Sequence, residues 1–213
     1  MKNLKVVQLF STAVFNTKLP KYGILNQKLS KYIYSLKDKD TKGQKFSNVG
    51  GWHSSFFNQQ DKIVIDFKSA INPIIEKVTK ELRWELEKHY IQWENIWSIV
   101  NPKYSYNNLH HHGTSHLSCA YYVKLPKENG GDFFFKDPRT SADIAKPAVT
   151  STLPFIDTHS RGGYLHMNTE EGSLLMFPGW LEHGVTQNLS NEDRIVISFN
   201  LKLIPKLVCT SKI

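Results

Sequence analysis

The chain has 213 residues, of which 40% are hydrophobic, so it can bury one sizeable core. Its formal net charge is +8, yet the lysines are scattered, so the charge marks no nucleic-acid groove while leaving nucleic acid open as a partner. No apolar run approaches the roughly 18 residues of a membrane span, and the two cysteines, Cys119 and Cys209, give no disulfide framework. We therefore expect a soluble, intracellular protein of the cytoplasm with no membrane partner.

The first third of the chain predicts one strand, one helix and one loop. Leu4 to Phe10 is rich in Val and Leu and indicates an opening strand. From Tyr22 to Leu36 the apolar residues recur every three or four positions, which predicts an amphipathic helix. Asp38 to Gly51 is polar and glycine-rich without periodicity, which predicts a long loop.

A second helical stripe runs from Phe67 to Tyr90, with Asn72–Pro73 inside it as either a kink or the true start. Both alternatives leave a long helix that can cover a sheet. The tryptophans nearby are interpreted as core residues in preference to a stacking platform for bases or sugars. They are Trp84, Trp93 and Trp97.

From Ile96 onward the sequence changes to short apolar runs separated by Gly, Pro, Asn and Asp, which is typical of strands. Helices followed by strands predict a mostly β fold of the α+β class, an antiparallel sandwich or barrel with the helices on one side. Asp137 to Asn168 is interpreted as mostly loop that covers a cavity. The predicted strands are Ile96 to Val100, Leu117 to Val123, Phe133 to Phe135, Leu174 to Phe177 and Ile195 to Leu203.

Four of the nine histidines lie between His110 and His116, directly before a strand-like run. Side chains alternate between the faces of a strand, so His110 and His112 can converge on one metal ion while His111 faces elsewhere. A polar loop without metal is the alternative for this cluster alone.

Two further residues lie downstream. His183 follows a Pro-Gly turn at the end of a predicted strand. Arg194 comes eleven residues later, at the start of a strand whose other residues are mostly apolar. An arginine in that setting favours an anionic partner, and a carboxylate matches its planar guanidinium.

The order of these residues resembles the Fe(II)- and 2-oxoglutarate-dependent dioxygenase superfamily, and within it the prolyl-4-hydroxylase-like oxygenases of bacteria and their viruses. The family has a His-x-Asp/Glu/His pair before a strand, a distant His, and an Arg about ten residues later. His110, His112, His183 and Arg194 match that order. Shorter motifs agree within Gly50 to Leu201, namely Gly51–Ser54, Ser118–Tyr122, Gly130–Arg139 and Phe177–Pro178.

The resemblance implies a double-stranded β-helix (jelly-roll) core over residues 96–205, preceded by a helical and edge-strand part over residues 1–95, in one domain of residues 1–213. It implies that His110, His112 and His183 hold Fe(II), and that Arg194 and Tyr122 bind the distal carboxylate of 2-oxoglutarate. The implied reaction couples decarboxylation of 2-oxoglutarate to succinate with O2-dependent hydroxylation of a substrate, with ascorbate as a reductant. The substrate is unidentified, a peptide or protein residue or a small molecule, and the oligomeric state is open.

The chain departs from the family pattern at His112, where a carboxylate is usual, and at Val196, where a serine is frequent. Asp132, His111 and His116 are alternative ligands in the first case. The competing interpretation is a non-catalytic metal-binding β-sandwich or a hydrolytic Zn(II) site built from three histidines. Four residues are candidates for the substrate entrance, namely Trp52, His53, Arg139 and Trp180.

Overall fold

The computed structural model describes residues 10–139 and 163–206. The described residues form two helices, α1 (Tyr22–Lys39) and α2 (Lys62–Glu81), and eleven strands. None of the helices in this part of the chain is long and apolar enough to span a bilayer. The strands are β1 (Phe15–Lys18), β2 (Asn48–Val49), β3 (Trp52–His53), β4 (His89–Asn101), β5 (Tyr106–His110), β6 (Leu117–Lys124), β7 (Phe133–Lys136), β8 (Tyr164–Met167), β9 (Ser173–Pro178), β10 (His183–Val185) and β11 (Arg194–Pro205).

The strands form two antiparallel sheets. The six-stranded sheet has the order β1-β9-β6-β11-β4-β3, and the five-stranded sheet has the order β2-β5-β10-β7-β8. From β4 to β7 and from β8 to β11, consecutive strands fall in opposite sheets. This alternation is the winding of a jelly roll, so the predicted mostly β fold is confirmed.

The central strands of the six-stranded sheet are buried on both faces, which explains their long apolar runs. Along β11, Ile195, Ile197 and Phe199 point into the core that also contains the helices. The alternate positions Arg194 and Val196 face the space between the two sheets. A strand with two buried faces therefore has a nearly continuous apolar sequence, interrupted only where polar groups enter the space between the sheets.

Both helices share one buried cluster with the six-stranded sheet. Asn26 of α1 fixes one such contact, because its Nδ2 donates to the carbonyl oxygens of Tyr122 (3.2 Å) and Val123 (2.8 Å). Its Oδ1 accepts from the Tyr121 hydroxyl at 2.6 Å. The helical residues of the cluster are Leu29, Ile33, Val64, Phe67, Ile71, Ile75 and Val78.

The second predicted helix is correct in kind and wrong in its bounds. It begins at Lys62, it contains Pro73 in its interior, and it ends at Glu81, so Asn72–Pro73 is not its start. Arg83 adopts a left-handed backbone (φ 53°) just after the helix. Tyr90, placed at the end of the helical stripe, lies in β4, where its segment pairs with β11. The tertiary pairing of β4 therefore overrides the helical spacing.

The first predicted helix and the later strands agree with the structure. The helix from Tyr22 to Leu36 is confirmed, as are all five apolar strands from Ile96 onward. The predicted loop Asp38 to Gly51 is correct in its middle only, because α1 extends to Lys39 and β2 occupies Asn48–Val49.

The segment Asp137 to Asn168, predicted to be mostly loop, contains one short strand among its described residues. Tyr164–Met167 forms β8 and pairs with β7, so the end of this segment belongs to the five-stranded sheet. Residues 140–162 of that loop, and the predicted strand Leu4 to Phe10 except its last residue, lie outside the described residues.

Candidate active site

Three histidines lie close together in the space between the two sheets. His110 ends β5, His183 begins β10, and the two residues are directly opposite in the antiparallel pair. His112 follows β5 in a loop whose backbone is fixed, because its N–H donates to the Gly179 carbonyl oxygen at 2.8 Å. One potential ligand atom from each histidine lies within 4.8 Å of the others. The structure therefore brings together the three histidines that the sequence singled out.

The hydrogen bonds of the three rings fix their tautomers. The Nδ1 atoms of His110 and His183 lie 2.7 and 2.9 Å from the carbonyl oxygens of Asn108 and Leu181. His112 Nδ1 lies 2.7 Å from Asn200 Oδ1. Since an oxygen of this kind only accepts, each Nδ1 carries the proton and each Nε2 keeps its lone pair.

Burial keeps the three imidazoles neutral. It lowers the pKa of His110, it lowers the pKa of His112 to about 4, and it holds the pKa of His183 well below the usual range. Neighbouring histidines lower the pKa of all three further. Neutral imidazoles with oriented Nε2 atoms are the ligands that Fe(II) and Zn(II) take, so the donor set fits a first-row metal ion.

Aromatic rings surround the histidine cluster. The ring of Phe133 stacks on His183 with centroids 5.3 Å apart at 13°, and the ring of Phe177 meets the same imidazole edge-on at 4.7 Å. The ring centroids of His110 and His183 are themselves 4.3 Å apart. These contacts restrict rotation of the His183 ring and give the cluster apolar walls.

A cavity of about 540 Å³ lies between the sheets and contains the cluster in its wall. This volume is within the range of pockets that bind drug-sized ligands. Arg194, only 3% exposed, lies in the same wall, as do residues from β4, β6, β9 and β11. A molecule in this cavity can touch the histidines and the arginine at once.

The Arg194 guanidinium has few partners among the residues that the structure describes. Its Nη2 donates to the Tyr122 hydroxyl at a long 3.3 Å, and its carbon lies 5.3 Å from the centroid of the Tyr122 ring. Its Nε is buried without a hydrogen-bond partner, and no ion pair joins it to a carboxylate of the described residues. A buried cation without a counter-ion is costly, so the site has the polarity to receive an anion.

A series of hydrogen-bonded polar side chains leads from the strand neighbour of Arg194 to the histidines. Asn101 is opposite Arg194 in the β4–β11 pair, and its Nδ2 donates to Asn107 Oδ1 at 2.9 Å. Asn107 Nδ2 donates to Ser47 Oγ at 3.3 Å, and Ser47 Oγ lies 3.4 Å from His110 Nε2. The last contact is long, and a metal ion at that Nε2 would replace it.

The alternative ligands lie elsewhere. His111 and His116 are exposed, and their Nδ1 atoms accept from the backbone N–H groups of Gly113 and Leu203. The Asp132 side chain is 68% exposed and pairs with His166 at 3.4 Å. None of the three belongs to the cluster of potential ligands among the described residues.

Of the four residues predicted to line the substrate entrance, only one lines the cavity. His53 lines the cavity, and burial lowers the pKa of its imidazole. Trp52 is buried in the helix-side core and donates from Nε1 to the Asp40 carbonyl oxygen. Trp180 is exposed, and neither it nor Arg139 is among the described residues that line the cavity.

Sequence reasoning missed Asn200 as the partner of His112. A signal was available, because Arg194, Val196, Ser198 and Asn200 alternate along β11 and therefore share the face that lines the cavity. The distance of 88 positions between His112 and Asn200 hides the contact itself. Only the register of β11 brings the two together.

Residues 95–200, about half the chain, match the sequence model of the family described as "Putative 2OG-Fe(II) oxygenase". The chain belongs to this 2OG-Fe(II) oxygenase family. Fe(II) and 2-oxoglutarate are the cofactor and cosubstrate that the family name specifies, and the enzyme is of the oxygenase type. No sequence among curated proteins matches the chain.

Solved structures with the same fold include other 2OG-Fe(II) oxygenases. A prolyl-4-hydroxylase from Pseudomonas putida has a TM-score of 0.61 and 10% identity, covering 90% of this chain and 93% of that one. A prolyl hydroxylase from Trichoplax adhaerens, bound to a peptide of a hypoxia inducible factor, has a TM-score of 0.62 and 9% identity, covering 90% and 84%. HygX from Streptomyces hygroscopicus, with nickel, 2-oxoglutarate and hygromycin B, has a TM-score of 0.61 and 10% identity, covering 90% and 83%. At these identities the likeness extends to the fold alone.

Proposed function

We propose that this oxygenase is a hydroxylase that uses Fe(II) held by His110, His112 and His183, and 2-oxoglutarate held by Arg194 and Tyr122. One observation carries the proposal: three neutral histidines lie in the wall of the same cavity as a buried arginine that has no counter-ion among the described residues. The first group suits a divalent metal ion, and the second suits the carboxylate of a small acid.

The histidines and the aromatic residues of the proposed site would have different roles. The three Nε2 lone pairs would bind Fe(II), and the Nδ1 hydrogen bonds would hold the rings in position. When bound, the iron would supply the redox chemistry that couples O2 and 2-oxoglutarate to hydroxylation of a C–H bond, with ascorbate as an external reductant. The walls formed by Phe133 and Phe177 would exclude water from the reacting groups.

Arg194 and Tyr122 would orient the cosubstrate. The free Nε and the weakly engaged Nη2 of Arg194 can donate to the two oxygens of one carboxylate. The Tyr122 hydroxyl, already 3.3 Å from the guanidinium, can donate to the same group. The 2-oxo acid end of 2-oxoglutarate would then extend along the cavity toward the histidines. Binding of the distal carboxylate would in this way position the end that reacts.

The substrate is proposed to be a residue of a peptide or a small molecule. Both kinds of ligand occur among the similar structures, since the Trichoplax enzyme is bound to a peptide and HygX to hygromycin B. The fold itself does not select between them.

Succinate formation tests the activity. Purified protein with 2-oxoglutarate, Fe(II) and ascorbate should form succinate in air, and should form none when either O2 or Fe(II) is left out. His183→Ala should abolish the signal, because it removes one of the three metal ligands. Failure of the wild type to form succinate under all these conditions would contradict the proposed reaction.

Titration calorimetry tests the role of Arg194 without turnover. Arg194→Ala should weaken 2-oxoglutarate binding by at least about 30-fold, since losing one partner of a buried charge pair costs roughly 2–5 kcal/mol. Metal affinity should not change. Lys103→Ala is the matched control, because Lys103 is a surface cation that contacts Asn191 outside the cavity. Equal 2-oxoglutarate affinities in wild type and Arg194→Ala would refute the assignment.

A Zn(II) site is the second candidate, favoured by the absence of a carboxylate from the histidine cluster in the described residues. Three histidines are the donor set of hydrolytic zinc centres. Protein purified without O2 from iron-rich medium distinguishes the two functions. Iron in the purified protein supports the oxygenase, whereas zinc under those conditions, with no succinate formed, supports the hydrolytic site.

A further inference from the structure

Four aromatic rings form a continuous series on the wall of the cavity. His53 lies in the middle, with its ring stacked on Trp97 at 5.8 Å and 15°. Phe46 contacts His53 at 4.9 Å, and Phe56 contacts Trp97 at 6.2 Å. We call these four residues the aromatic wall, and all of them line the cavity.

The aromatic wall runs from solvent to the histidine cluster. Phe46 and Phe56 are 67% and 55% exposed, whereas Arg194, in the wall of the same cavity, is buried. The Trp97 ring lies 5.5 Å from the ring of His112. A group resting on Trp97 is therefore next to the proposed metal ligands and in contact with the open side of the cavity.

His53 adds one polar atom to this apolar surface. The residue is only 4% exposed, and its Nδ1 lies 2.7 Å from the Ser54 carbonyl oxygen, so Nδ1 carries the proton. Its Nε2 has no hydrogen-bond partner among the residues that the structure describes. A neutral imidazole in this arrangement presents a single acceptor. His53 is also outside the cluster of potential metal ligands found in the described part of the chain, so this acceptor is not needed for the metal.

We propose that the aromatic wall is the substrate subsite, and that it takes an uncharged ring that carries an N–H or O–H donor. The ring contacts Trp97 and Phe56, while the donor binds His53 Nε2. This inference rests on the proposed function, because it treats the occupant of the wall as the group to be oxidised. It adds the chemical class of that group.

The side chains of the aromatic wall favour an uncharged ring with a hydrogen-bond donor over other ligands. Rings gain most from stacking and edge contacts with other rings. A donor gains a hydrogen bond at His53 that an isosteric group without a donor loses. An ionised group would lose its hydration here, and among the described residues the only permanently charged side chain lining the cavity is Arg194, which the proposed cosubstrate would occupy. The ring can belong to a free small molecule or to a residue of a peptide.

Fluorine NMR of small probes tests the proposal without turnover. The protein is loaded with Zn(II) and saturated with 2-oxoglutarate, and the loading is measured first, so that failure of the metal site is recognised separately. 2-Fluorophenol has a ring and a donor, and 2-fluoroanisole has the same ring without the donor. We expect the wild type to bind the phenol roughly 3- to 10-fold more tightly, the value of one neutral hydrogen bond.

Three variants separate the two contributions. His53→Phe keeps a ring and removes the acceptor, so both probes should bind equally, whereas His53→Gln restores an acceptor and should recover part of the preference. Phe56→Ala, at an exposed ring, should weaken both probes by about 3- to 10-fold without changing their ratio. His166→Phe is the control, because His166 is exposed and does not line the cavity.

Several results would overturn the inference. These are equal binding of the two probes to the wild type, an unchanged ratio in a folded His53→Phe, and unchanged binding of both probes in Phe56→Ala. A capped Gly–3-fluorotyrosine–Gly peptide identifies the source of the ring. Tighter binding of the peptide than of the free phenol assigns the subsite to a peptide residue, and weaker or equal binding assigns it to a small molecule.

Discussion

Replacing Asn200 by alanine tests whether the metal site depends on a contact outside the three histidines. In the described part of the chain, Asn200 Oδ1 is the only side-chain atom that accepts from an Nδ1 of the three rings, because His110 and His183 use backbone carbonyl oxygens. Alanine leaves the His112 Nδ1 without its acceptor at 2.7 Å. The ring can then change its tautomer or rotate, and either change removes the Nε2 lone pair from its position.

The expected loss in metal affinity is about 10- to 100-fold, the usual effect of removing the hydrogen-bond partner of a ligating histidine. This corresponds to about 1.4–2.7 kcal/mol. Competition of the protein with a chromophoric chelator for Zn(II) measures it. Asn200→Asp, which keeps an oxygen at the same place and adds negative charge, should bind metal at least as tightly as the wild type.

Ser118→Ala is the matched control for this experiment. The Ser118 hydroxyl donates to the same Asn200 Oδ1 at 3.0 Å but does not touch His112. Its removal should change metal affinity much less than Asn200→Ala does. Unchanged affinity in a folded Asn200→Ala would refute the argument that this amide orients a ligand.

Other contacts described above lead to three further predictions. Tyr122→Phe should weaken 2-oxoglutarate binding by roughly 10- to 150-fold in calorimetry, because it removes a hydrogen bond to a charged carboxylate; an unchanged affinity would exclude the hydroxyl. Asn26→Ala should lower the free energy of unfolding by about 2–5 kcal/mol in urea denaturation, since two carbonyl oxygens and the Tyr121 hydroxyl lose a buried partner; a loss below about 0.5 kcal/mol would contradict this. His111→Ala should leave Zn(II) affinity unchanged whereas His110→Ala should abolish high-affinity binding, and equal losses would show that the exposed ring is a ligand.

The spacing of apolar residues along the chain predicted the strands correctly but not the end of the second helix. The apolar runs of β6 and β11 are unambiguous because both faces of these strands are buried. The helix is different, since Leu86 and Tyr90 continue the helical spacing of α2 beyond its end, and Tyr90 lies in a strand that pairs with β11. The pairing partner lies more than a hundred residues away, and spacing along the chain does not contain that information.

In the candidate site, too, the sequence order identified some residues, whereas others depend on the three-dimensional structure. His110, His112, His183 and Arg194 were identified from their order along the chain, and the structure brings all four to one cavity. Asn200 and the connection from Asn101 to Ser47 depend on the register between strands, which the sequence alone does not reveal. That Arg194 has no counter-ion in the described part of the chain also becomes visible only when its neighbours are known.

Strand β11 carries Arg194 and Asn200 on the same face, six positions apart, between β4 and β6. A shift of its register by one residue would turn both side chains into the helix-side core and bring Ile195 and Phe199 into the cavity. The positions of both groups thus depend on the pairing of one central strand with β4 and β6. One strand therefore carries both the arginine proposed to bind the cosubstrate and the amide that holds a proposed metal ligand, so a change in its register would impair both sites at once.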